Sequence, residues 1–263
     1  MNLQKGGITM IHQESVRLVP GAQVAVLLIH GICGSPNHFR SLIPLEEQIP
    51  ENWSVYNLVL PGHCASVADF AHSSMQAWKA HARQVFDKLC RDHEKVILVG
   101  HSMGTLFSVD LAIRRPNKVA FVFMIASPVV VGVRYAAVKN CIRLALGKGI
   151  EADPVLGAMR QATGIDLQPN LLRYISWAPR MLELLKECKA TRKRLARLTV
   201  PCQAWQSHKD EVVSRRAGTC LDRSGCVEVH TLPSSTHYYY DPQDRKQVEE
   251  AFAAACRPYM DSE

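Results

Sequence analysis

The sequence predicts an α/β domain built on a doubly wound, mostly parallel sheet. Short apolar runs rich in Val, Ile and Leu alternate with longer helical stretches, the rhythm of strand–helix–strand units joined by right-handed crossovers. Those runs are continuous rather than alternating, which suits strands covered on both faces. A third observation modifies the picture. From residue 128 to 198 the strand rhythm stops and only helical pieces follow.

Taken in order, residues 9–20 suit one short strand, with "VPGA" as its turn. Six buried strands follow: "VAVLLIH" (24–30), "SVYNLVL" (54–60), "KVILVGH" (95–101), "KVAFVFMIAS" (118–127), "VPCQAWQS" (200–207) and "CVEVHTL" (226–232). Residues 74–93 place Met75, Trp78, Ala82, Val85, Phe86 and Leu89 on one helical stripe. A helix over 103–115 follows the third of these strands directly, and one over 242–259 closes the chain, with Pro242 near its start. Segment 128–198 is broken by "GKG" (147–149), Pro154, Gly164 and Pro169. It is too long for an ordinary connection and reads as a helical cap over the C-terminal ends of the strands. The expected division is a core of residues 1–127 and 199–263 with a cap of 128–198.

Composition narrows the class. The 263 residues are 47% hydrophobic and 21% charged, an ordinary globular balance. The net charge of +7 is concentrated in part in "KECKATRKRLAR" (186–197), which reads as a solvated helix face. No aromatic residues interleave with it, so a single-strand nucleic-acid platform is not expected. Nine scattered cysteines, without CxxC or zinc-ligand spacing, suit reduced thiols; only Cys220 and Cys226 suggest a bridge, a weak one. The N-terminus lacks a signal-peptide core and no run of 18 apolar residues occurs, so a cytoplasmic protein is expected.

"GHSMG" (100–104) fits G-x-S-x-G, between the strand "KVILV" and the helix "MGTLFSVDLAIRR". That context makes Ser102 the candidate nucleophile, held at a strained strand-to-helix turn where Gly100 and Gly104 leave room. A serine hydroxyl needs a base to take its proton. His237, in "PSSTHYYYDP" after the last strand, is the candidate. His230 lies inside a strand pattern, and His101 is expected to pack the turn. The orienting acid is Asp210 in "SHKDEVV", with Glu211 the adjacent alternative; Asp241 reads as a helix cap beside Pro242. Two backbone N–H groups should hold an oxyanion: Met103, after the nucleophile, and Ile32 in "LLIHGICGSP", where Gly31 and Gly34 allow close approach.

Together "LLIHGICGSP", "LVLPGHCAS", "VGHSMGTL", "SHKDEVV" and "SSTHYYYDPQ" resemble the successive landmarks of the α/β-hydrolase superfamily, most nearly its small carboxylesterases and monoacylglycerol lipases. The resemblance covers nearly all of the chain outside 128–198. It implies a serine esterase or lipase with no metal or organic cofactor, acting on a small-molecule ester or lipid. It implies catalytic Ser102, Asp210 and His237, and oxyanion donors Ile32 and Met103. Three positions depart from the usual pattern: Cys64 stands where "PGHG" is common, Thr105 where a small residue is common, and Thr236 where Gly often precedes the His. The short N-terminus implies a reduced first hairpin. Ile175, Met181 and Leu185 in the cap are candidates for an acyl pocket, against the plainer reading that they pack the cap onto the body. A thioesterase would use the same triad, and a binding protein on this fold would usually have lost part of it. Membrane contact by 186–197 and the oligomeric state stay open in the sequence.

Overall fold

The structure, a computed structural model, describes residues 12–260. Its sheet has seven strands: β1 (Ser15–Arg17), β2 (Val24–Ile29), β3 (Ser54–Asn57), β4 (Lys95–His101), β5 (Val119–Ile125), β6 (Cys202–Ser207) and β7 (Val227–Leu232). Their order across the sheet is β1-β3-β2-β4-β5-β6-β7. β1 runs antiparallel to β3 and the other neighbours are parallel. This is the α/β-hydrolase fold.

Each of the six strands β2 to β7 forms where an apolar run was read, β4 over the whole of 95–101 and the others with trimmed ends. β3 ends at Asn57: Leu58 N–H still bonds the Leu28 carbonyl at 3.2 Å, but the Leu60 N–H leaves the ladder for His30 Nε2 at 3.1 Å. Of the expected N-terminal strand, residues 9–11 lie outside the described residues and only Ser15–Arg17 pairs. The absence of alternation is explained by burial on both faces. In β2, Ala25, Leu27 and Ile29 join one core layer while Val24, Val26 and Leu28 join the other.

The helices are α1 (Val67–His72), α2 (Met75–Asp92), α3 (Met103–Arg114), α4 (Tyr135–Ala145), α5 (Pro154–Ala162), α6 (Ala178–Arg194), α7 (Arg216–Asp222) and α8 (Pro242–Cys256). α2 buries the expected stripe, with Ser74 capping it by accepting the Ala77 N–H. α1 and α7 are too short to show a 3.6-residue period. α1 still carries a start signal, a reciprocal capping box between Ser66 and Asp69. The nine cysteines are free, Cys220 and Cys226 included.

Between β5 and β6 lie α4, α5, a 3-10 helix (Leu171–Trp177) and α6. α6 is pinned to the body along its length. Trp177 Nε1–H reaches the Val67 carbonyl, Arg180 reaches the carbonyls of Ala71 and Ser73, and Glu183 accepts the Met75 N–H. Further on, Glu187 pairs with Lys79, and Arg194 with Asp110 and Glu187. The basic run 186–197 thus closes α6, where cations complement the helix dipole.

Candidate active site

Chain order and spatial order diverge at β2: β3 lies on one side of it and β4 on the other. Such a reversal leaves a crevice at the carboxyl ends of the two strands, the usual binding place in open α/β sheets. The loop after β2 carries Gly31–Gly34 and the turn after β4 carries Ser102.

Ser102 adopts φ 50° and ψ −120°, a conformation costly for a residue with a Cβ, on the order of 1–3 kcal/mol. Its neighbours enforce it. A Cβ on Gly104 would sit 1.9 Å from the Ile29 carbonyl oxygen, and one on Gly100 would sit 2.6 Å from the Thr105 nitrogen. The Ser102 N–H is held by the Ile125 carbonyl at 2.9 Å. Thr105 fits because its hydroxyl bonds inward, to the Ser102 carbonyl at 2.7 Å and to Ser127 Oγ at 2.9 Å.

The three polar side chains expected to act together do meet. His237 Nε2 lies 3.1 Å from Ser102 Oγ, and His237 Nδ1 lies 2.8 Å from Asp210 Oδ2. Nδ1 donates to the carboxylate, which leaves Nε2 to accept the serine proton. Asp210 Oδ1 takes the N–H groups of Val212 and Val213, both at 2.7 Å. All three residues are buried, Ser102 being 4% exposed. Burial disfavours a charged His237, but the charge and hydrogen bond of Asp210, and then Glu211, outweigh it. The imidazole pKa is therefore raised above its usual value.

A second layer fixes the His237 backbone from both sides. Glu211 Oε2 accepts its N–H at 3.2 Å. Its carbonyl accepts from His101 Nε2–H at 3.2 Å and from the Tyr240 hydroxyl at 3.4 Å. His101 also stacks on His38, ring centroids 3.6 Å apart. Burial, then the neighbouring His38 and His237, hold the His101 pKa well below normal, so it stays neutral. Asp244, at the start of α8, shapes the loop upstream by accepting the N–H groups of Ser234 and Ser235 and the Ser235 hydroxyl. Asp241 caps α8 through the Gln243 N–H, as expected. His230 stacks on Trp205, away from this network.

Gly31 has a reason beyond loop freedom: a Cβ there would lie 2.9 Å from Ser102 Cβ. The loop bearing Ile32 thus packs directly on the Ser102 turn, and Met103 is the first residue of α3 beyond Ser102. The departure at Cys64 has a counterpart in Gly164, whose hypothetical Cβ would meet Cys64 Sγ at 2.6 Å. Of the residues expected to line an acyl pocket, Met181 is half-buried against the core. Ile175 and Leu185 face solvent, 69% and 48% exposed, and so contribute to an outer apolar surface rather than to an enclosed wall. Among the described residues, no group of three or more His, Cys, Asp or Glu is placed to hold a metal ion.

The fold, with a buried Ser–His–Asp chain on a strained strand-to-helix turn at its switch point, is that of the α/β-hydrolase superfamily, and the family match places the chain in it. More narrowly, the chain belongs to the family of serine aminopeptidase, S33, whose profile matches residues 21–240. It is similar to a thermostable monoacylglycerol lipase from Bacillus sp. (strain H-257), 24% identical over 197 residues covering 72% of each chain. Among solved structures it is similar to one from work on the metagenome-derived lipolytic enzymes LipS and LipT, with a TM-score of 0.70 at 20% identity over 94% of this chain and 98% of that one. A monoacylglycerol lipase of Paleococcus ferrophilus gives 0.62 at 16% over 92% and 98%. A thioesterase domain from the curacin biosynthetic pathway gives 0.59 at 15% over 93% and 94%. No described helix is long and apolar enough to cross a membrane.

Proposed function

We propose that the protein is a serine hydrolase of carboxylic esters, short- to medium-chain acyl esters or monoacylglycerols, working through an acyl-enzyme. The observation that carries this reading is the Ser102–His237–Asp210 chain, with donor and acceptor roles already set for proton transfer. Ser102 Oγ attacks the ester carbonyl carbon while His237 Nε2 takes the hydroxyl proton. The N–H groups of Met103 and Ile32 hold the resulting oxyanion, each such donor being worth about 10²–10³ in rate. The C–O bond to the alcohol breaks as His237 returns the proton to that oxygen. Water, deprotonated by His237, then attacks the acyl carbon and Ser102 leaves with the proton. Asp210 keeps the imidazole in the working tautomer and stabilises its charged form. The chemistry calls for no cofactor, and a cytoplasmic setting remains the reading from sequence.

The test is labelling by a fluorophosphonate, read by intact mass, on the wild type and on Ser102→Ala. One adduct on the wild type and none on the variant is expected; no adduct on folded wild type overturns the reading. A panel of p-nitrophenyl esters, monoacylglycerols and acyl thioesters then separates esterase and lipase from thioesterase.

A further inference from the structure

We propose that a groove between α2 and the end of α3 binds the phosphate or diphosphate group of a soluble small molecule, at a place separate from Ser102. Three observations carry the proposal.

The first is the lining. Arg83, Phe86 and Asp87 of α2 meet Arg114, the last residue of α3, and Arg115, which caps it, around a groove of about 310 Å³. That is the lower end of the range for small-molecule pockets, about 300–1,000 Å³. The three arginines are each about half exposed. The groove continues onto the neighbouring face of α2, where Gln84 and Arg91 join Arg83 and Asp87. Residues 83, 87 and 91 stand at i, i+4 and i+8, so they form one stripe of the helix.

The second is charge that the protein leaves unbalanced. Three guanidiniums share the groove with one carboxylate. Asp87 is divided between two of them, its Oδ2 3.6 Å from Arg83 Nε and its Oδ1 3.0 Å from Arg115 Nε. Arg114 turns to Asp110, Nε to Oδ2 at 3.6 Å, but Asp110 is already paired with Arg194 and lies 3.9 Å from Lys79 Nζ. The closest approach in each pair is through Nε. The terminal Nη groups of Arg83, Arg114 and Arg115 make no hydrogen bond among the described residues, and Arg91 pairs with no carboxylate there. Such Nη groups are what a phosphate takes, in bidentate charge-assisted bonds. An anion bound among them would relieve the mutual repulsion of the arginines.

The third is position. A cation at the end of α3 complements the helix dipole, which accounts for Arg114 and Arg115. It does not account for Arg83, which lies in the middle of α2. Stability does not account for it either, since exposed ion pairs such as Arg83–Asp87 add little. α3 begins beside Ser102 and ends at the groove, so its length sets the two about 18 Å apart. The groove is therefore no part of the Ser–His–Asp chain. A nucleic acid fits it less well than a small phosphorylated molecule: Phe86, the aromatic residue of the lining, is 1% exposed and offers no face on which a base could stack.

The test is isothermal titration of the full-length protein with inorganic pyrophosphate and with inorganic phosphate, at low and at physiological salt. Expected is one site for pyrophosphate, weaker binding of phosphate, and a loss of affinity for both as salt rises. Arg83→Gln and Arg115→Gln should each weaken pyrophosphate binding about tenfold. Arg115→Lys keeps the charge without the fork and should fall between Arg115→Gln and the wild type. Asp87→Asn removes the one carboxylate of the groove and should tighten binding. Arg223→Gln makes the same change in net charge outside the groove, at the end of α7, and should leave binding unchanged, as should Ser102→Ala. Circular dichroism checks that each variant is folded. Absence of pyrophosphate binding at low salt overturns the proposal. So does equal weakening in Arg223→Gln and Arg83→Gln, which would mean a diffuse response to net charge. A single-stranded oligonucleotide that binds more tightly than pyrophosphate, and is lost in Arg83→Gln, would assign the groove to nucleic acid and overturn it equally.

Discussion

The Glu211 carboxylate accepts the backbone N–H of His237 at 3.2 Å, one residue along from the Asp210 carboxylate that accepts from the same histidine's ring. Two adjacent carboxylates thus serve one histidine, one through its ring and one through its backbone. Glu211→Gln keeps an acceptor but removes the charge. In the proposed mechanism a neutral His237 is the base, so activity should rise with pH through its raised pKa. Removing a negative neighbour lowers that pKa, so the acid limb of kcat/KM should move to lower pH in Glu211→Gln. Glu211→Ala also loses the charge-assisted hydrogen bond, worth about 1.5–3 kcal/mol, and should lose roughly 10- to 100-fold in kcat. A pH–rate profile for both variants checks this; an unmoved limb in Glu211→Gln would show that Glu211 acts through geometry alone.

Gly104 and Gly157 make a contrasting pair. A Cβ at 104 would overlap the Ile29 carbonyl, whereas at 157, within α5, the nearest atom is the Ile150 oxygen at 3.6 Å. Gly104→Ala must displace β2 or the turn and should destabilise the protein by about 3 kcal/mol or more, with loss of Ser102 reactivity. Gly157→Ala removes a flexible residue from a helix interior and should stabilise by about 0.5–1 kcal/mol. Urea unfolding of the two variants measures both signs.

Asp244 is 2% exposed and accepts three hydrogen bonds from Ser234 and Ser235. Asp244→Ala leaves buried donors without an acceptor, at about 1–3 kcal/mol each where they stay unpaired. Lower unfolding stability and slower fluorophosphonate labelling are expected together, because the same loop carries His237. Normal labelling at reduced stability would separate the loop's fold from the placement of the histidine.

What was legible in the sequence follows the range of the interactions involved. Ser102, Asp210 and His237 could be placed because each lies just after a recognisable strand, and the fold brings strand ends together. Asp210 is preferred to Glu211 on its distance from the strand alone, since neighbours in a loop differ chiefly in where they point. Ile175 and Leu185 went astray for a related reason: a helical stripe says which side chains share a face, not whether that face meets the core or solvent. α1 and α7 were too short for periodicity, although Ser66 and Asp69 marked the start of the first. The stack of His38 on His101 joins residues 63 positions apart and leaves no local trace.

His30 ties the two loops beside the site together. Its Nδ1–H donates to the Gly31 carbonyl at 2.8 Å and its Nε2 accepts the Leu60 N–H at 3.1 Å, an arrangement open only to the neutral ring. Burial, chiefly, lowers its pKa to about 4. The folded pKa lies below the unfolded value near 6.5, so the unfolded chain takes up the proton first. The stability His30 contributes is therefore full above pH 6.5 and is lost as pH falls toward 4, on the order of 3 kcal/mol in all. His38, His63 and His101, also buried with lowered pKa, act in the same direction. Urea unfolding at pH 7 and pH 4.5 should show a marked loss in the wild type. His30→Gln should be less stable at pH 7 yet show a shallower dependence on pH. Parallel pH dependences for the two proteins would mean that the proton is taken up elsewhere.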